Sequence, residues 1–237
     1  MTTGCLTTVI ALIAVLGLVV SWLWYRHWYD GDVNSERREQ ALASILESAH
    51  TTADDTARAL ATSGTNDADV LTGVIWQLSQ APVITYDASR REFTAPAEVA
   101  AQYEEKSILP GGGHVRATRC FIFTYTQRLG RAWTSKVSER DDDVCRPSTQ
   151  IGSRVRLALT RVSGMYAEDL TRAGVQKVLD PTGLRFFDVK NVVRERDTMT
   201  ISVLVLSSDA EVDQCYHFIR PAQGGNNQGS ATPASSC

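Results

Sequence analysis

The sequence lacks a basic surplus: its formal net charge is −3. Dedicated nucleic-acid binders carry strong positive excess, so that class is disfavoured. It lacks CxxC and His-rich spacing, which removes the usual zinc frameworks. No serine sits in a GxSxG elbow, so hydrolase chemistry of that type has no support. "PGGGH", residues 110–114, lacks the Lys-Ser/Thr of a phosphate loop and reads as a flexible turn. "ERDDDV", residues 139–144, lacks the alternating oxygen ligands and terminal Glu of a calcium loop and reads as a solvated acidic turn. The four histidines, His27, His50, His114 and His217, are scattered. His50 lies four residues before Asp54 on an expected helix and reads as half of a surface pair. A Cys–His enzyme would have to draw on Cys120 or Cys215 with His114 or His217, and disulfide use explains the cysteines more simply. No catalytic, cofactor-binding or metal-ligating set emerges, and the reading is of a protein that is not an enzyme.

One further absence is decisive. Leu6 to Tyr25, "LTTVIALIAVLGLVVSWLWY", contains no charge. Twenty residues at about 1.5 Å rise give about 30 Å, the hydrocarbon thickness of a bilayer. Trp22, Trp24, Tyr25, Trp28 and Tyr29 follow as an aromatic belt for the membrane interface, and Arg26 can snorkel toward headgroups. A cleaved signal peptide would need a basic leader and a small-residue cleavage site. Here the leader is uncharged and Trp and Tyr stand where small residues belong, so the segment reads as an uncleaved anchor. Cys5 precedes the apolar stretch, whereas a lipoprotein cysteine follows one.

Two signals dispute the orientation. Arg26, Arg37 and Arg38 follow the anchor and nothing basic precedes it, which favours the following domain inside. Cys120, Cys145, Cys215 and Cys237 all follow the anchor, which suits an oxidising compartment. The basic signal is weak, and the expectation is a domain outside the cytoplasm. The surplus of arginine over lysine, with abundant Ala, Thr, Val and Asp, reads as a GC-rich bacterial genome.

With 237 residues, 43% hydrophobic and 22% charged, the chain holds a membrane segment and one ordinary domain. Residues 34–63 carry Leu42, Ile45, Leu46, Ala49, Ala53, Thr56, Ala57 and Leu60 at helical spacing, ended by Gly64. This helix is a juxtamembrane stalk that packs on its own domain or forms a coiled-coil contact. Residues 67–79 predict a second helix closed by Pro82, and 83–87 a short strand. Pro96 suits the first turn of a short helix with Val99, Ala100 and Tyr103, broken at 109–114. Residues 116–127 alternate as a strand, with Phe121, Phe123 and Tyr125 on one face. Leu129-Gly130 turns it into a strand over 131–139, and 153–162 reads as another, with Arg154 and Arg156 outward. A helix over 163–179 places Tyr166, Leu170, Ala173 and Val178 on its apolar side. Strands over 184–194, 198–207 and 212–220 follow, joined by turns at 195–197 and 208–209. Residues 96–145 and 164–215 share an order of elements, but residue identity between them is poor and the expectation is no true repeat. The polar stretch 222–237 is expected to be disordered.

The fold class expected is α+β: an N-terminal transmembrane helix and helical stalk, then a mainly antiparallel sheet with a few packed helices. The divisions expected are an anchor with aromatic belt over 1–30, juxtamembrane helices over 31–80, a globular domain over 81–220 and a tail over 221–237. Cys120–Cys145 is the favoured disulfide, with Cys145–Cys215 and Cys120–Cys215 as alternatives and Cys237 unpaired or bonded to another chain. The functional expectation is a single-pass envelope protein that binds a partner or ligand, or aids an assembly, without catalysis. Its partners would be the lipid bilayer and another envelope protein, and not nucleic acid. An accessory subunit of a transport, secretion or sensing complex is the alternative, and an anchored enzyme the third option.

Overall fold

A computed structural model describes residues 3–106, 113–128, 132–208, 211–222 and 229–237, with side chains from residue 10 onward. The chain is α+β: a long N-terminal helix with an apolar start, then two antiparallel sheets and a few helices.

Helix α1 runs unbroken from Thr3 to Thr62. Anchor and stalk are thus one helix rather than two. Nothing in the sequence interrupts it, because the first proline is Pro82. It ends where Gly64 takes a left-handed φ of 68°, a conformation costly to residues with a Cβ. The stripe Ala41, Ile45, Ala49, Ala53, Ala57 and Leu60 is buried, so the packed reading holds over the coiled-coil one. Helix α2, Ala68–Ser79, starts at Asp67, whose carboxylate accepts from the backbone N–H groups of Asp69 and Val70.

Strands β1 (Thr85–Asp87), β2 (Glu92–Glu104), β3 (His114–Gln127) and β4 (Trp133–Arg140) form the first sheet in chain order. The helix expected from Pro96 is instead the middle of β2. Its alanines satisfy a two-residue period, with Phe93, Ala95 and Ala97 buried. Strand β1 pairs only as far as Thr85 with Thr94, so Pro96 lies where β2 has become an edge and its missing N–H costs nothing. The Pro96 carbonyl accepts from the Ser148 hydroxyl at 2.8 Å.

Residues 153–162 are not a strand. They belong to helix α3, Asp142–Ser163, whose buried face is Cys145, Ser148, Ile151, Val155, Ala158 and Val162. The acidic turn expected over 139–144 is the helix start: Asp141 stands at the cap position, and Asp142 and Asp143 meet the positive end of the helix dipole. Arg154 is not simply an outward charge. Its guanidinium lies 3.8 Å over the Phe186 ring and donates to the Leu206 carbonyl and to Ser208 Oγ. The helix expected over 163–179 is cut back. Gly164 ends α3, a 3₁₀ turn covers Ala167–Asp169, and helix α4 occupies Arg172–Leu179. Leu170, Val175 and Leu179 are buried, but Tyr166 is exposed.

Strands β5 (Phe187–Glu195), β6 (Thr198–Leu206), β7 (Asp213–Pro221) and β8 (Ser230–Ala234) form the second sheet, again in chain order. Met199, Ile201, Val203 and Val205 of β6, with Tyr216 and Phe218 of β7, face the buried side of α3 in one core. Strand β8 corrects the expected disorder over 230–234, while residues 223–228 of that stretch lie outside the described residues. Polar composition is offset by pairing with β7, from Cys215 opposite Ala234 to Ile219 opposite Ser230, and by a covalent bond at Cys237. The turns expected at 109–112, Leu129-Gly130 and Asp209 lie outside the described residues.

Contacts divide the chain into two compact units. One comprises Met1–Leu46 with Ala100–Thr118, the other Glu47–Val99 with Arg119–Cys237.

Candidate membrane-anchoring site

Among the described residues, one helix is long and apolar enough to cross a membrane, and none of its apolar window is buried by protein. A soluble core helix would be covered, because leaving such a stripe in water forfeits about 25 cal/mol for each Å² of apolar surface. This exposure runs all round: Leu12, Ile13, Val15, Leu16, Leu18 and Val20 are each more than half exposed. Every residue from Ile10 to Tyr29 is exposed, and helical geometry spreads them over every face.

The belt expected from sequence is equally uncovered. Trp24 is 78% and Trp28 66% exposed, with Trp22, Tyr25 and Tyr29 also exposed. Its members interact along the helix at four-residue spacing. Arg26 places its guanidinium 5.3 Å from the Trp22 ring and its Nε 3.7 Å from Asp30, and Tyr25 stacks on Tyr29 at 6.3 Å. This arrangement puts amphipathic rings and one cation at the polar end of the apolar run, which is the chemistry of a headgroup layer. Asp30 is buried, with an Oδ2 that makes no hydrogen bond.

Four cysteines form two disulfides. Cys120 of β3 bonds Cys145 at the start of α3, with Cα atoms 5.7 Å apart. Cys215 of β7 bonds Cys237, with Cα atoms 5.3 Å apart. These bonds stand in place of Cys145–Cys215 and Cys120–Cys215, and Cys237 is bonded within its own chain. Strand β8 lies beside β7 and brings the end of the chain back to Cys215. The separations of 25 and 22 residues were the available sequence signal, and the assumed disorder of the tail hid it.

The remaining candidates do not converge. His27, His50 and His114 are exposed and His217 is half-buried in β7. Asp54 accepts from Ser135 Oγ at 2.8 Å rather than pairing with His50. Among the described residues no three His, Cys, Asp or Glu side chains gather as metal ligands. Open depressions are present among the described residues. One, of about 440 Å³, is lined by Glu98, Asp142, Arg146, Thr149, Gln150, Ser153 and Arg154. Another, of about 540 Å³, has Asp197, Thr198, Ile219, Arg220, Pro221, Gly229 and Ser230. Arg220 is buried and donates from Nη1 to the carbonyls of Val162 and Met165, at 2.6 and 2.9 Å. It therefore satisfies the end of α3. Burial pushes the Tyr125 phenol up to about 12, partly offset by the Thr56 hydroxyl, and pushes Tyr216 higher still. Tyr216 donates to the Pro82 carbonyl. Both phenols are core groups.

Sequence reasoning missed Asn34 and Arg37. Asn34 Nδ2 donates to the Lys106 carbonyl and Asn34 Oδ1 accepts from the Lys106 N–H, both at 2.8 Å. Arg37 Nη1 donates to the Glu104 carbonyl at 2.8 Å. Long-range side chain-to-backbone bonds leave no local pattern in a sequence.

The chain matches no family model, no curated protein and no solved structure.

Proposed function

We propose that the protein is a single-pass envelope protein, held by α1, whose α+β domain lies outside the cytoplasm and works by binding rather than catalysis. The role is that of a tethered domain engaging a partner or ligand, or helping an assembly form. The observation that carries the anchor is the charge-free, uncovered apolar run of α1. Two disulfides support the oxidising side of the membrane.

The test uses intact cells producing the full chain. They are treated with an impermeant reductant and then an impermeant maleimide, with Cys5 replaced by serine so that only the four disulfide cysteines respond. Labelling of intact cells, with the protein retained in the pellet after alkaline carbonate washing, is the expected result. Labelling only after lysis would overturn the external domain. Release by carbonate would overturn the anchor.

A further inference from the structure

The two sheets repeat one plan. In each, a helix ends at a Ser-Gly pair, Ser63-Gly64 and Ser163-Gly164. A second, shorter helix follows, opened by a side-chain cap from Asp67 or Thr171. Four antiparallel strands then lie in chain order. A cysteine in the third strand, Cys120 or Cys215, bonds one just beyond the fourth, Cys145 or Cys237. The third strands read Cys-Phe-Ile-Phe from 120 and Cys-Tyr-His-Phe from 215. Their inward rings sit alike: Phe121 and Phe123 at 6.4 Å and 43°, Tyr216 and Phe218 at 6.3 Å and 40°. Helix order, strand order, crosslink and ring geometry coincide, which independent origins would not require. The spans that correspond are α1 through β4 and α3 through β8, wider than residues 96–145 and 164–215.

The copies differ in the lengths of their leading helices and outer strands, and in their two central strands. Strands β2 and β3 have 13 and 14 residues, whereas β6 and β7 have 9 each. The excess matches Ala100–Glu104 and His114–Thr118, which leave the second unit and join the first. There the ribbon, closed by the Glu105 N–H on the Gly113 carbonyl, grips α1 through Asn34 and Arg37. Asn34 is five residues past Tyr29, about 7.5 Å along the helix axis.

We infer that the chain is a tandem duplication of one two-helix, four-strand unit, and that the first copy has become a clamp. Its lengthened β2–β3 ribbon holds the segment of α1 just beyond the aromatic belt. The Asn34 amide engages one backbone residue from both sides, so the clamp reads helix position and not merely charge. That the clamped segment is juxtamembrane rests on the proposed anchor.

Hydrogen exchange on the full chain in detergent micelles tests both parts. Replacing Asn34 and Arg37 together by alanine should speed exchange over residues 30–46 at least tenfold, with β6 and β7 unchanged. Asn34→Asp, which keeps the accepting oxygen and loses the donor, should fall between. Unchanged exchange over 30–46, or faster exchange throughout, would overturn the clamp. For the duplication, C215S/C237S should loosen β6–β8 but not β3–β4, and C120S/C145S the reverse. Either variant loosening both sheets equally would overturn the modular reading. Micelle measurements do not depend on crossing a bilayer, so failure here differs from failure of carbonate retention.

Discussion

Removing the Cys215–Cys237 bond is a quantitative test of how the second sheet is finished. The bond closes a span of 22 residues. In the chain-entropy picture, freeing such a loop in the unfolded state costs the native state about 3.4 kcal/mol. The native contacts that remain are modest. Strand β8 is Ser-Ala-Thr-Pro-Ala, with small side chains and one proline, and its neighbouring Ser235 is held by Asp69 at 2.7 Å. The ladder to β7 and the Gln214 Nε2 bond to the Ala234 carbonyl are present with or without the crosslink, so they do not offset the regained chain entropy and most of that loss should appear. For a folded body of this size, each kcal/mol moves the melting temperature by about 2–4 °C. C215S/C237S should therefore melt about 7–14 °C below the parent, followed by circular dichroism on the full chain in detergent. Reductant should lower the parent further, because the 25-residue Cys120–Cys145 loop contributes about as much again. A shift under 2 °C in the variant, or a parent indifferent to reductant, would refute the reasoning.

Alkaline stability should follow Tyr125. Its phenol is raised to about 12 from 10, so the folded state holds a proton that the unfolded state releases, and stability is full below pH 10 and lost as pH climbs through 12. Tyr125→Phe should lessen that decline in a denaturant series across pH 9–12, with Tyr216 supplying the remainder; an unchanged slope would count against a buried Tyr125 phenol. Replacing Arg220 by alanine leaves the Val162 and Met165 carbonyls without their shared donor and should cost about 2–4 kcal/mol in urea unfolding, with lysine restoring only part. A loss below 0.5 kcal/mol, on the order of ordinary surface changes, would show that water replaces the guanidinium.

Legibility followed the strength of periodicity. The apolar run and aromatic belt were plain because they depend on composition and length alone. Strands β5, β6 and β7 were plain because Phe187, Val189, Ile201, Val203, Tyr216 and Phe218 alternate cleanly into one core. Residues 153–162 deceived because Val155, Leu157 and Leu159 alternate as in a strand. The helical set Ile151, Val155, Ala158, Val162 needs a window that starts before Ser153 and runs through its neighbours. Strand β2 deceived in the opposite sense, since alanines that favour helices locally were spent on close packing in a sheet. The clamp at Asn34 and the bond at Cys237 depend on partners 72 and 22 residues away, beyond the reach of local pattern.

Both sheets are laid down with neighbouring strands adjacent in the chain. Each hairpin can therefore close on residues only recently threaded past it, and such local pairing forms quickly. A polypeptide emerging end-first from a narrow passage can zip each meander in order of arrival, with no early strand waiting for a distant late one. Thiol oxidation, which takes seconds to hours, then becomes the slow step of maturation.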